Sequence, residues 1–277
     1  MIIDCFTFNN EFDLLECRLE YLCRYVDYFL IVEGNITFSG NSKQLQYPTQ
    51  IDRFRQYQDK ILYFPASIAT AGLDFTKEIN TFDASSAPWA VEKFQRNYIA
   101  TGLSLFRDND VVIIGDVDEV PSIGAIFAAS KALSTVNIVA CKQQMFYYNF
   151  DYIQETPWYG STFTKVGTAK QLTPDGVRAC RNNTSMIVPG GGWHLSNWMS
   201  PSEIITKIKS FSHQEFNNPK YTDLQTVINH IKSGKDYLGR ESNRFIPFDV
   251  NSLPPDFISI FSKVTRSRDN LTEVVSN

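Results

Sequence analysis

The first 35 residues narrow the architectures open to this chain. Ile2 to Phe8 is an apolar-rich run that reads as a strand and ends in the polar turn Asn9-Asn10-Glu11. Phe12, Leu15, Leu19, Leu22 and Val26 then recur at three- and four-residue steps, which gives a helix one apolar face. Tyr28 to Val32 reads as a second buried strand, ending at Glu33-Gly34-Asn35. Two strands joined through a helix pair in parallel, and a parallel sheet needs helices on its faces. The fold class is therefore α/β, built on a parallel crossover unit.

The alternation continues to about residue 120. A short strand is expected near Ile61–Phe64, and a helix opened by Pro88 runs through Trp89, Phe94, Tyr98 and Leu105. Val111 to Ile114 is a third or fourth buried strand. After Pro121 the pattern changes. A helix near 122–132 precedes expected strands at 136–141, 143–150 and 158–172, rich in Tyr, Phe and Thr. Pro189-Gly190-Gly191-Gly192 reads as a flexible turn before Trp193-His194. Helices follow near 201–211 and 222–233, and Pro254-Pro255 begins a segment that wraps or trails. One catalytic domain over 1–250, split near 121, with an extension over 251–277, is the simplest division.

The strand 111–114 ends in Gly115-Asp116-Val117-Asp118-Glu119, so two carboxylates one residue apart are delivered to its C-terminal edge. In open α/β sheets ligands bind at that edge. Mg²⁺ is usually held by one or two carboxylates together with substrate phosphates. The turn therefore points to a metal-assisted site for a phosphorylated substrate. A plainer reading has an Asp capping the helix that follows. Val120 and Pro121 do not fit a calcium loop. A sharper rival is a phosphatase with Asp116 as nucleophile and Asp118 as acid/base. That signature normally sits on the first strand of its sheet, and no convincing second acidic pair follows downstream.

A formal net charge of −4 argues against a nucleic-acid surface, which needs clustered Lys and Arg. No stretch approaches a membrane span. The five cysteines are odd in number and match no zinc spacing, as expected of reduced thiols in a cytoplasmic protein.

Other residues are weaker signals. His194 follows three glycines, which let a backbone approach phosphates, and a neutral imidazole can complete a metal shell. Taken alone, a hydrogen-bonded core histidine explains it as well. His213 and His230 read as ordinary. Glu33 at a strand end could hold a ribose hydroxyl. Arg96 and Lys207 could face a diphosphate. An acceptor hydroxyl needs a base, for which Asp151 and Glu155 are the candidates. Tyr147, Tyr148, Trp158 and Trp193 could stack on sugars or fill a core.

Several of these pieces stand together. Asn9-Asn10-Glu11-Phe12-Asp13-Leu14-Leu15-Glu16-x-Arg18, Val32-Glu33-x-Asn35-x-Thr37, Arg96, Asp116-x-Asp118-Glu119-x-Pro121 and Gly192-Trp193-His194-x-Ser196 closely resemble glycosyltransferase family 17. The resemblance runs from residue 2 to about residue 240. It implies an α/β fold of the GT-A type, with a mixed, mostly parallel central sheet flanked by helices, 1–121 as the nucleotide-sugar-binding half and 122–250 as the acceptor half. It implies a nucleotide-sugar donor, UDP-GlcNAc first, a glycan acceptor, and inversion at the anomeric carbon. Asn9, Glu11, Glu33, Arg96, Asp116 and Lys207 would bind the donor. Asp116, Asp118 and His194 would hold Mn²⁺ or Mg²⁺. His213 lies outside the shared pattern. Animal members carry an N-terminal membrane anchor that this sequence does not show, so a stand-alone domain in a bacterium or a virus-infected cell is expected. A catalytically inactive carbohydrate-binding protein is a further alternative.

Overall fold

A computed structural model describes residues 1–240 and 243–274, with side chains described up to Val264. β1 (Ile2–Thr7), α1 (Phe12–Leu22) and β2 (Tyr28–Gly34) form the expected crossover, and β1 and β2 pair in parallel. β3 (Ile61–Ala66) adds to β2. The expected helix over 88–105 is two, α2 (Ala87–Asn97) and α3 (Ile99–Leu103). β4 (Val111–Asp116) then lies beside β1, in parallel, with Thr7 opposite Asp116. The parallel order is thus β3-β2-β1-β4.

Side chains alternate across these strands, as the pleat requires. Ile3, Cys5, Leu30, Val32, Val112 and Ile114 enter one core cluster, whereas Phe6, Phe8, Phe29, Ile31 and Ile113 enter the other. Each face needs helices over it, which is why strands buried on both sides read as continuous apolar runs.

The second half is more mixed. β5 (Glu119–Pro121) and α4 (Ile123–Ala132) lead to β6 (Ile138–Tyr147). β6 is one long strand with an irregularity at Ala140/Cys141, where two strands were expected. β7 (Tyr152–Gln154) pairs with it, and β8 (Trp158–Lys165) lies antiparallel to both β4 and β6. The strand expected over 158–172 stops at Lys165. α5 (Val166–Leu172) and α6 (Pro174–Ala179) follow, because Val166 and Gly167 give their N–H groups to the Asp110 and Asp108 carbonyls and turn the chain back. A Cβ on Gly167 would stand 3.1 Å from the Asp108 side chain, so glycine there permits the close approach of α5 to residue 108.

β9 (Met186–Val188) and β10 (Gly192–Ser196) both run parallel to β6. α7 (Pro201–Ser210), α8 (Pro219–Thr222) and α9 (Leu224–Lys232) follow. Ile204, Ile208 and Val227 pack with Met145, Tyr147 and Tyr148 in a third cluster. β11 (Phe245–Pro247) edges the sheet. α10 (Pro255–Val274) does not trail. Its Phe257 and Phe261 pack on Tyr21 of α1, and Phe257 stacks on Trp193. Among the described residues no helix is long and apolar enough to cross a membrane.

Candidate active site

A cavity of about 530 Å³ opens at the C-terminal ends of β1 and β4. Thr7, Phe8, Asn9 and Glu11 form one wall, and Ile36 to Phe38, after β2, a second. Trp89, Glu92 and Arg96 of α2 form a third, and Asp116 to Asp118 lie in the floor. Trp158, Arg178, Arg181 and His194 close the far side, with Lys207 and Ser210 to His213 above.

The acidic turn is held from beneath. Arg18 of α1 is wholly buried against Asp4, and its Nη1 donates to the carbonyls of Asp116, Val117 and Glu119 at 3.1, 3.2 and 2.6 Å. Glu119, also wholly buried, accepts from the Asp116 and Ser161 backbone N–H groups, from Trp158 Nε1 at 2.7 Å and from both terminal nitrogens of Arg178. Burial alone would push its carboxyl up, but Arg178 outweighs this and holds it well below the usual range. A Cβ on Gly160 would come within 2.8 Å of this carboxylate carbon, so glycine there leaves it room.

His194 is brought to the turn by strand pairing. β10 lies antiparallel to β5 with His194 opposite Glu119, and Leu195 N–H donates to the Asp118 carbonyl. Gly192 makes this approach possible: its φ is +123°, and a Cβ there would sit 2.1 Å from the Val120 carbonyl oxygen. Gly191 and Gly192 thus serve strand packing, and none of the three glycines lines the cavity. His194 Nε2 stands 3.4 Å from Asp118 Oδ2, and its buried Nδ1 has no hydrogen-bond partner among the described residues. Burial pushes the Asp118 carboxyl up; His194 first and Lys207 next outweigh it and hold it below the usual range.

Asp116 faces elsewhere. Its Oδ1 meets Arg96 Nη2 at 3.1 Å and its Oδ2 meets Arg178 Nη2 at 2.5 Å. Among the described residues no three His, Cys, Asp or Glu side chains gather as a metal-binding group. The expected trio of Asp116, Asp118 and His194 is therefore reduced to a pair, because two guanidinium groups hold the first carboxylate. Both oxygens being taken also weighs against Asp116 as a phosphatase nucleophile. The pair itself suits an ion: two adjacent ligands on an octahedral cation at about 2.1 Å stand roughly 3 Å apart.

The other expected residues divide. Asn9, Glu11, Arg96 and Lys207 line the cavity. Glu11 Oε2 accepts from the Asn9 and Asn10 N–H groups, which shapes the β1 exit. Glu33 does not reach the cavity. It is wholly buried, and Lys43, the Gln46 and Tyr47 backbone and the Tyr63 hydroxyl occupy its oxygens, so it has none left for a ribose. Asp151 pairs with Asn149 and Glu155 with Arg244, both away from the cavity, so neither is placed to act as base. Tyr147 and Trp158 line the cavity, whereas Tyr148 and Trp193 belong to the core. His213 does line it, with Nδ1 2.8 Å from Glu215 Oε1 and its ring against Trp89. His230, near the end of α9, does not.

Sequence reasoning missed Arg178, Arg181, Glu92 and Asp175. The first two lie on α6 and the short turn after it, just beyond the strand expected over 158–172. Their three-residue spacing is the signal that a helix there would have shown.

Residues 1–246 match the pattern of glycosyltransferase family 17. The chain is 24% identical over 265 residues to the beta-1,4-mannosyl-glycoprotein 4-beta-N-acetylglucosaminyltransferase of Rattus norvegicus, covering 84% of this chain and 46% of that protein. It is likewise 24% identical over 264 residues to the Homo sapiens protein of that name, covering 83% and 47%. The chain spans about half the length of these curated relatives. Among solved structures, a 4-diphosphocytidyl-2C-methyl-D-erythritol synthase aligns over 69% of this chain and 88% of its own, at TM-score 0.40 and 9% identity. That likeness is too remote to bear on fold or chemistry.

Proposed function

This chain belongs to glycosyltransferase family 17, and we propose that it transfers a sugar, GlcNAc from UDP-GlcNAc first among candidates, to a glycan hydroxyl with inversion. The relatives are named as N-acetylglucosaminyltransferases, which supports that choice of sugar. The observation that carries the reading is the Asp118–His194 pair at the C-terminal edge of the sheet, in a cavity also lined by Lys and Arg side chains.

In the proposed reaction the bond from the anomeric carbon to the diphosphate breaks, and both its electrons stay on the diphosphate oxygen. The acceptor oxygen bonds to that carbon from the opposite face. The products are a nucleoside diphosphate, the extended glycan and one proton. Asp118 and His194 would hold Mn²⁺ or Mg²⁺, with donor phosphates and water filling the other positions. Such an ion neutralises charge on the leaving diphosphate. Lys207 adds to that charge compensation from above. Arg18 and Glu119 fix the turn so that Asp118 is already in place, which preorganises the site. Phe8, Thr37 and Trp89, one from each of three walls, line the part of the cavity proposed for the nucleoside. The five free thiols fit a reducing compartment, for which we propose the cytoplasm.

The test is purified protein with Mn²⁺ and a panel of nucleotide sugars, reading nucleoside diphosphate release with and without glycan acceptors. Turnover of one donor supports the transferase. Binding of a glycan with no release under any condition would identify an inactive binding protein. Release of inorganic phosphate from simple phosphoesters would favour the phosphatase.

A further inference from the structure

Six cationic side chains other than histidine line the cavity, and their partners differ. Lys43 is held by Glu33 and Arg240 by Asp236. Arg96 and Arg178 are held by Asp116 and other carboxylates. Among the described residues Lys207 and Arg181 have no ion pair and no side-chain hydrogen bond. Arg181 is the more unusual of the two. It is half-buried, and its guanidinium carbon lies 4.8 Å from the centre of the Trp158 ring. Trp158 is in turn pinned by Glu119 and lies 4.8 Å from the His194 ring.

Burial and then the neighbouring Arg178 both work against the Arg181 charge, with Glu119 and Asp116 offsetting part of this. A half-buried guanidinium beside Arg178, with no ion pair of its own among the described residues, gains little stability from its place. Sites where a local rule is broken and only partly compensated are where function is expected. Arg is suited to phosphate because its planar fork can donate two parallel bonds. The stacked ring restricts that fork before any ligand arrives.

We propose that Arg181 is a binding residue for the diphosphate of the nucleotide donor, presented on the face of Trp158 beside the Asp118–His194 pair. The proposal rests on the nucleotide-sugar reading and adds a residue to it. As the bond to the anomeric carbon breaks, its electrons remain on the diphosphate and the acceptor hydroxyl releases its proton. Arg181 neither gives nor takes a proton; it donates hydrogen bonds to the diphosphate oxygens.

The experiment is calorimetric titration of UDP and of uridine into wild type, Arg181→Met and Arg181→Lys, with thermal melts of all three. Arg181→Met keeps an apolar stem on Trp158. It is expected to weaken UDP about ten- to hundredfold, to leave uridine affinity unchanged, and to melt at or above the wild-type temperature. Arg181→Lys is expected to recover part of the UDP affinity. Unchanged UDP affinity in Arg181→Met would overturn the proposal and leave the donor reading standing. A lower melting temperature with UDP and uridine weakened together would also overturn it, by showing a structural role. Failure of wild type to bind UDP at all would overturn the donor reading and this proposal with it.

Discussion

Glu119 accepts five hydrogen bonds with no exposed surface, and Asp118 beside it faces the cavity and His194. The sequence showed both carboxylates in one motif, yet nothing in the spacing separates the one that holds the site from the one that meets ligand. That division depends on Arg178 and Trp158, 59 and 39 residues away. Glu119→Ala removes two of the three carboxylate hydrogen bonds of the buried Arg178 and leaves it to Asp116 alone. It is expected to cost about 3–5 kcal/mol of folding stability, measured by urea unfolding. The pH dependence has a definite sign. The folded carboxyl of Glu119 lies well below its ordinary value of 4.5, so its contribution is complete above about pH 4.5 and is lost as pH falls toward the folded value. Asp118, lowered from 3.8, acts in the same direction. Melting temperature is therefore expected to fall below pH 4.5, and to fall less in Glu119→Gln than in wild type. Glu33 illustrates the opposite error. Its place at a strand end was legible, but its four donors come from residues 43 to 63 and are folded over it. Glu33→Ala is expected to lower stability and leave UDP affinity of the folded protein unchanged.

Among the elements, β1, α1, β2 and β4 were readable because apolar periodicity alone specifies strands and helices buried on both sides of a parallel sheet. α5 and α6 were not, since Val166-Gly167-Thr168-Ala169 continues the β-branched character of β8 and turns into a helix only through contacts with residues 108 and 110. The same error hid Arg178 and Arg181. The run Gly190-Gly191-Gly192 before Trp193 reads as a flexible turn; in the fold Gly191 packs against Cys141 and Gly192 against Val120, so these two make room, while a Cβ on Gly190 would meet nothing among the described residues. Gly192→Ala puts a methyl group onto the Val120 carbonyl at a positive φ. It is expected to cost at least about 1–3 kcal/mol and to weaken Mn²⁺-dependent UDP binding by displacing His194 from Asp118. Calorimetry with and without Mn²⁺ checks the second effect; a variant with lower stability but intact Mn²⁺ dependence would show that β10 does not set the pair.

On the scale of the whole molecule, β8 ties the parallel strands to the later ones by pairing with β4 on one side and β6 on the other, and α10 returns to cover α1. An α/β class with a mixed, mostly parallel sheet was legible; which strands run antiparallel was not, because antiparallel partners far apart in sequence leave no local mark. Phe257→Ala removes a ring shared by α1, β10 and α10, and is expected to cost about 3–5 kcal/mol without changing UDP affinity in the folded state. The most direct check on the central claim is calorimetric titration of UDP into wild type and Asp118→Ala, each with and without Mn²⁺. The account predicts that wild type binds UDP more tightly with Mn²⁺, and that Asp118→Ala, folded by circular dichroism, loses that gain. A wild-type protein indifferent to UDP, or a folded Asp118→Ala with the full Mn²⁺ effect, would contradict it.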